Sequence, residues 1–303
     1  MKLVAVASPS FAPLAMLADL DGVEVVATDH AATLGRAIAD ADAVVVAPRA
    51  GALLREAWPY ARRVRWVHTL AAGVDTLLFP ELVASDAIVT NARGVFSDAL
   101  GEFAVAAMLW FAKDLGRMRR NQEARRWQPF DVDRLEGATV SIIGLGSIGH
   151  AVARRCKALG MKVIGVRRTD GSLENALRDA DYVVVTTPLT DATRGLIGAR
   201  ELALLKPTAV IINIGRGAVI DEAALLDALQ NERVRGAALD VFAHEPLPPD
   251  HPLWTLENVL LSPHTADHTA DAHDRSMRMF LENLARFRRG EELMNVVDKQ
   301  QRY

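Results

Sequence analysis

A single cysteine, Cys156, among 303 residues rules out an intrachain disulfide, and its place inside a helical pattern suits a small core side chain rather than a nucleophile. A reducing, cytoplasmic setting is expected. Charge of one sign is lacking too: 35 Lys and Arg against 38 Asp and Glu leave a formal charge of −3. Nothing then draws the chain generally to nucleic acid or anionic lipid, and the pairs Arg62-Arg63 and Arg288-Arg289 are short enough to be solvated faces. No nucleic-acid or membrane partner is expected. The longest wholly apolar run, residues 103–112, is too short to span a bilayer and gives way to Lys113 and Asp114. At the amino terminus Lys2 and an apolar stretch suggest a secretory leader, but Ser8, Pro9, Pro13 and Asp19 interrupt it before any convincing cleavage site. Low-complexity segments are missing. So is a tight metal-ligand spacing, because His244, Glu245, His264 and His268 do not fall at His-x-x-x-His intervals with an acidic third ligand; no metal is expected.

What the chain does have is apolar residues, 50% of the total, enough for the cores of two domains. Strand candidates at residues 3–7, 23–27, 43–47, 64–69 and 88–90 alternate with helical patterns, and the plan recurs at 140–143, 162–166, 182–186, 209–213, 236–239 and 258–261. This alternation defines an α/β class with two doubly wound parallel sheets. Continuous apolar strands imply sheets covered on both faces, with ligand-facing loops at the carboxyl ends; residues 48–51 and 70–75 stand out as such loops. Ser97-Asp98 reads as a helix N-cap near a domain boundary, opening a helical stretch to about residue 126. Its segment 103–112 is apolar all round and needs a second cover, from a partner subunit or from within the monomer. From about residue 267 an amphipathic helix with Met277, Phe280, Leu284 and Phe287 leads to a polar tail.

The organising stretch is residues 140–149, an apolar strand running into Gly144-Leu145-Gly146-Ser147-Ile148-Gly149 and then a helix. Gly144 permits a tight turn, Gly146 lets backbone approach a pyrophosphate, Gly149 lets the helix pack on the strand, and the helix N-terminus offers its free N–H groups. A second strand ends about twenty residues on, as this fingerprint requires. A carboxylate there would bind the ribose hydroxyls of NAD, whereas Arg167, Arg168 and Thr169 suit a 2′-phosphate, so NADP is expected as the preferred cofactor, with NAD use left open.

Just beyond the later strands stand Arg216 between two glycines, Glu245 before Pro246, and His264 after Pro263. Reducing a 2-oxo acid needs an anchor for its carboxylate and a proton for the developing alkoxide. Arginine supplies a bidentate permanent charge, histidine a donor near neutral pH, and a neighbouring glutamate stabilises and orients the imidazolium. His244 is the alternative acid.

These motifs, together with the run from Ala238 to Leu247, His251-Pro252-Leu253-Trp254, Ser262-Pro263-His264-Thr265 and Asn295-Val296-Val297, resemble the D-isomer-specific 2-hydroxyacid dehydrogenase family, which includes glyoxylate and hydroxypyruvate reductases. The resemblance covers nearly the whole chain. It implies that Arg216 binds the substrate carboxylate and carbonyl, that His264 is the acid/base with Glu245 its partner, and that backbone amides of Ala72, Gly73 and Val74 help hold the carboxylate. It also implies that Asp240, Thr187 and Pro188 contact the nicotinamide half of the cofactor and that Ile214-Gly215 passes beside it. A Rossmann cofactor domain (97–268) would be inserted into a flavodoxin-like substrate domain (1–96 and the returning helix 269–303), and the enzyme would be a homodimer. Where NAD-using members carry aspartate this chain has Arg167; Arg93 stands where proline is frequent, and Ala266-Asp267 follows His264-Thr265 where others have alanine or serine and then glycine. The expected activity is NADPH-dependent reduction of glyoxylate, hydroxypyruvate or a similar 2-oxo acid to the D-hydroxy acid. Two alternatives remain: oxidation of another small acid such as formate or phosphite, or a cofactor-sensing interaction protein on the same fold.

Overall fold

The computed structural model describes residues 1–167 and 173–303, which form two compact units, Met1–Phe96 with Thr269–Tyr303, and Ser97–His268. In the first unit β1 (Lys2–Val6), β2 (Glu24–Thr28), β3 (Ala43–Val46), β4 (Trp66–Thr69) and β5 (Ile88–Asn91) make a parallel sheet of order β2-β1-β3-β4-β5. That is the flavodoxin-like order, with its switch point between β1 and β3. The pleat of β1 splits its residues between two cores: Val4 and Val6 join Leu34, Val44, Leu54 and Leu82, while Leu3 and Ala5 join Val45, Trp66 and Phe280. Both faces are therefore covered, as the unbroken apolar strands demand.

The helix Ala272–Arg289 covers the second of these faces with Met277, Phe280 and Leu284; the Phe280 and Trp66 rings stack at 5.2 Å and Gly290, at φ 70°, terminates it. It starts later than the expected residue 267, because the preceding residues are used by turns closed by His268 N–H to Thr265 O and Ala272 N–H to Thr269 O.

The second unit holds β6 (Thr139–Ile143), β7 (Lys162–Val166), β8 (Tyr182–Val185), β9 (Val210–Asn213), β10 (Gly236–Leu239) and β11 (Val259–Leu261), all parallel, in the order β11-β10-β9-β8-β6-β7. This Rossmann-like sheet reverses its strand order between β6 and β8, and the crevice outside their carboxyl ends is where such sheets bind ligands.

Helix Ser97–Ala112 packs on helix Ser147–Ala158: a Cβ on Gly101 would lie 3.2 Å from the Ala151 carbonyl carbon, and Cys156 Sγ is 3.9 Å from Met108 Sδ. Burial pushes the Cys156 thiol up to about 11, so it is an inert core residue. The helical stretch expected to run to residue 126 is broken after Ala112. Asp114 adopts φ 46° and its carboxylate accepts Arg117 N–H at 3.1 Å, starting a new helix, Leu115–Glu123. Asp tolerates the left-handed region and caps well, and both properties outweigh the helical pattern here. Ser97 does not cap: it lies inside the first turn with its hydroxyl buried and unpartnered, while Asp98 pairs with Arg155 (3.0 Å) and Arg154 (2.7 Å), which hold its carboxyl below the usual range. Among the described residues no helix is long and apolar enough to cross a membrane.

Candidate active site

The glycine loop sits at the switch point of the second sheet. Gly144 takes φ 104°, and a Cβ there would lie 3.0 Å from the nitrogen and Oγ1 of Thr187; the third glycine is stricter, since a Cβ on Gly149 would be 2.1 Å from Gly144 O. Gly146 differs from both. Among the described residues, its own chain neighbours aside, no atom lies within 4 Å of where its Cβ would be, although it is the residue that opens helix Ser147–Ala158. Its lack of a side chain thus leaves a cradle at a helix N-terminus, which fits the diphosphate of a dinucleotide. Ser147 and Ile148 form the first turn of that helix. Across the switch point Thr186 donates to Gly144 O (2.5 Å) and Thr187 to Ile143 O (2.7 Å), tying the loop after β8 to the glycine loop. Thr193 donates to Pro188 O (2.6 Å) and Ile214 N–H to Val185 O (3.1 Å), so both neighbouring loops are fixed. Arg167 follows the last residue of β7 and is exposed; Arg168 and Thr169 lie outside the described residues.

Arg216 is presented by a strapped turn after β9. Buried Asn213 accepts Gly215 N–H (3.1 Å) and donates to Arg216 O (3.1 Å), while Arg216 Nη1 donates to Gly215 O (2.8 Å). On the other side Gly217 abuts the turn after β10, where its Cβ would lie 1.9 Å from the Phe242 carbonyl carbon.

Glu245 and His264 meet: Nδ1 of the imidazole and Oε2 of the carboxylate are 2.7 Å apart, with the side chains 31% and 29% exposed. The bond to Glu245 is the main cause of a His264 pKa raised above the ordinary imidazole value; burial opposes it, Asp240 adds to it and Arg216 works against it. Because Glu245 holds the Nδ1 proton, Nε2 is the nitrogen left for exchange. His264 itself sits at φ 55°, a conformation that β-carbon sterics disfavour. The flanking chain is held there by one buried carboxylate oxygen: Asp240 Oδ1 accepts Ser262 Oγ–H (2.6 Å), Thr265 N–H (2.9 Å) and Ala266 N–H (3.1 Å). Desolvation nevertheless raises the Asp240 pKa against those donors.

Motif reading gave no role to three residues of this arrangement: Thr186, Asn213 and Ser262. Each is a small polar residue at the carboxyl end of an apolar strand, a position that sequence can flag but without saying which backbone group the side chain will hold. In the first unit the loop after β4 is pinned by Asn91 Nδ2 to Ala72 O (2.7 Å), Ala92 N–H to Ala71 O (3.0 Å) and Ser276 Oγ to Leu70 O (2.7 Å), which fixes the segment containing Ala72, Gly73 and Val74. Among the described residues no group of three His, Cys, Asp or Glu side chains is placed to hold a metal ion.

A dinucleotide cradle and an imidazole–carboxylate dyad on one Rossmann-like sheet define a pyridine-nucleotide oxidoreductase. Residues 105–266 match the family described as D-isomer specific 2-hydroxyacid dehydrogenase, NAD binding domain. A glyoxylate reductase of Korarchaeum cryptofilum is 36% identical over 266 residues, 81% of this chain and 79% of that one. A D-3-phosphoglycerate dehydrogenase of Methanocaldococcus jannaschii is 34% identical over 277 residues, 86% of this chain and 52% of its own. Among solved structures, an NADPH-dependent glyoxylate/hydroxypyruvate reductase of Sinorhizobium meliloti in complex with NADP and sulfate superposes with a TM-score of 0.87 at 27% identity, over 100% of this chain and 99% of that one. The chain belongs to the D-isomer specific 2-hydroxyacid dehydrogenases, NAD(P)-dependent oxidoreductases.

Proposed function

We propose that the protein reduces a small 2-oxo acid, of the glyoxylate or hydroxypyruvate kind, to the D-2-hydroxy acid with NADPH. The observation that carries this is the 2.7 Å contact of His264 Nδ1 with Glu245, on an imidazole whose pKa is raised although Arg216 acts on it in the opposite sense. An acid whose protonated form is favoured, beside a guanidinium, is what the carbonyl oxygen of an anionic 2-oxo acid requires. The names of the relatives, glyoxylate reductase and NADPH-dependent glyoxylate/hydroxypyruvate reductase, support the same substrate class.

A bound nicotinamide cofactor would supply the hydride that C2 of the substrate takes up. Arg216 binds the substrate carboxylate and carbonyl. His264 gives its Nε2 proton to the carbonyl oxygen as negative charge grows there, and Glu245 keeps the imidazolium oriented and stable through Nδ1. Gly144, Gly146, Ser147, Ile148 and Gly149 would hold the diphosphate of that cofactor, and Arg167, with Arg168 and Thr169, its 2′-phosphate. Thr187, Pro188, Ile214, Gly215 and Asp240 would line its nicotinamide half. A homodimer is proposed, supported by the half-buried Phe103, Val105, Leu109 and Trp110 on helix Ser97–Ala112 and by Trp127, which is 97% exposed.

The test follows absorbance during oxidation of NADPH and of NADH by the purified protein with glyoxylate, hydroxypyruvate, pyruvate and phenylpyruvate, with the oligomeric state read by light scattering. Turnover of at least one acid, faster with NADPH, is expected. Equal efficiency with NADH removes the phosphate role of Arg167, and no turnover with either cofactor refutes the reductase.

A further inference from the structure

Beside the Arg216, Glu245 and His264 site lies a second pair of titratable side chains to which no role has yet been given. Glu222 is the first residue of helix Glu222–Gln230; its Oε2 accepts Ala243 N–H at 3.0 Å, and its Oε1 faces His251 Nε2 at 3.4 Å. The tautomer of His251 follows from its other nitrogen. Leu253 N–H donates to Nδ1 (3.3 Å), so in the neutral ring Nδ1 carries the lone pair and Nε2 the proton, which points at Glu222. Both Glu222 oxygens are thereby engaged.

Ala243 belongs to the turn that carries Glu245. The preceding N–H, that of Phe242, donates to Glu245 Oε1 at 3.2 Å, which commits that oxygen and leaves Oε2 for His264. The turn is also in steric contact with Gly217, where a Cβ would reach 2.5 Å from Ala243 N. Close contact holds both Phe242 and Ala243, and the charge-assisted bond to Glu222 holds Ala243 again. Capping does not account for Glu222, because Asp221 already caps the helix by accepting Ala224 N–H (3.1 Å), whereas the Glu222 carboxylate is turned to another segment.

We propose that Glu222 and His251 are positioning residues, an outer carboxylate–imidazole pair that clamps the 242–245 turn so that Glu245 Oε2 stays on His264 Nδ1. This rests on the acid role proposed for His264 and deepens it. The charged groups acting on the His264 imidazole itself are Glu245, Asp240 and Arg216. Glu222 works through the backbone at Ala243.

The experiment is an NMR titration of the His264 imidazole in the wild type and in Glu222→Ala, Glu222→Gln and His251→Ala, beside steady-state kinetics across pH and thermal melting. Alanine removes the acceptor for Ala243 N–H; glutamine keeps an oxygen for it. Glu222→Ala is expected to lower the His264 midpoint, to move the alkaline limb of kcat to lower pH, and to reduce kcat about tenfold, the value of one charge-assisted hydrogen bond, with the KM for NADPH little changed. Glu222→Gln is expected to recover most of the lost midpoint. A folded Glu222→Ala protein that titrates His264 at the wild-type midpoint overturns the proposal, whatever its kcat or Tm, and so does Glu222→Gln titrating as low as Glu222→Ala. Should Glu222→Ala fail to fold, His251→Ala decides: a lowered midpoint supports the clamp and a wild-type midpoint overturns it. A wild type that reduces no 2-oxo acid while its His264 midpoint still falls in Glu222→Ala refutes the proposed function and leaves the clamp standing.

Discussion

Replacing Glu245 by glutamine separates charge from geometry at the dyad. The amide oxygen of glutamine still accepts from His264 Nδ1 across the 2.7 Å contact, so the ring keeps a partner but loses the negative charge that stabilises its protonated form. A hydrogen bond to a charged group contributes about 1.5–3 kcal/mol and a neutral one about 0.5–1.5 kcal/mol, a difference of about 1–1.5 kcal/mol, or roughly five- to tenfold in an equilibrium. The two side chains are 31% and 29% exposed, so solvent screening keeps the effect at the low end of that range. The sign follows from the raised His264 pKa, whose first cause is the bond to Glu245. In the proposed reaction reduction uses the imidazolium, so it should persist below the folded midpoint and fade as pH rises through it, while oxidation of the hydroxy acid would use the neutral ring and gain over the same interval. Glu245→Gln therefore should move both limbs to lower pH and cost about fivefold in reductive kcat/KM on the alkaline side, with a smaller loss on the acid side. The assay is kcat/KM in both directions between about pH 6 and about pH 9, which spans the unperturbed imidazole value. A uniform loss at every pH, with neither limb displaced, would refute the charge argument.

Linkage makes the same bond a stability term: a histidine whose folded pKa is raised stabilises the fold fully below its unfolded value, near 6.5, and the gain is lost as pH rises through the folded midpoint. The Tm deficit of Glu245→Gln against wild type should therefore shrink with rising pH, and a pH-independent deficit contradicts it. Arg216→Gln removes the permanent charge proposed to bind the acid; about 100-fold lower kcat/KM for the 2-oxo acid is expected from one lost charge-assisted bidentate pair, with the NADPH Kd nearly unchanged by fluorescence titration. Equal losses for both ligands would place Arg216 in the scaffold. Gly149→Ala puts a Cβ 2.1 Å from Gly144 O and must displace the glycine loop, so NADPH affinity should fall at least about tenfold in the same titration; unchanged affinity would sink the cradle. Arg167→Asp should reverse the preference between NADPH and NADH, measured as the ratio of their kcat/KM values, since a carboxylate repels a 2′-phosphate and binds ribose hydroxyls.

The eleven described strands were legible because most are short runs rich in apolar and β-branched residues, and the boundaries found differ from those expected by no more than two residues. The glycine spacing was legible for the same kind of reason, since Gly144 and Gly149 are confined by atoms two to three ångströms away. What sequence did not show is what single side chains do to the backbone around them. Asp114 breaks a helix that the apolar pattern would have continued, and Ser97 lacks the capping bond its type suggests. His264 is the sharper case. Its residue type and its Ser-Pro-His-Thr setting mark it as chemical, but nothing in that string announces a left-handed backbone held by Asp240, a carboxylate 24 positions earlier and brought alongside by the parallel pairing of β10 with β11. Asp240 was assigned to the nicotinamide half through resemblance alone, yet its Oδ1 already accepts three bonds from the His264 loop. Whatever it contacts on the cofactor, its carboxylate also fixes the backbone that presents the imidazole. Register between adjacent strands therefore ties the end of β10 to the backbone that presents His264, and a tie of this kind depends on which residues pairing brings level, which is why spacing along the chain does not reveal it.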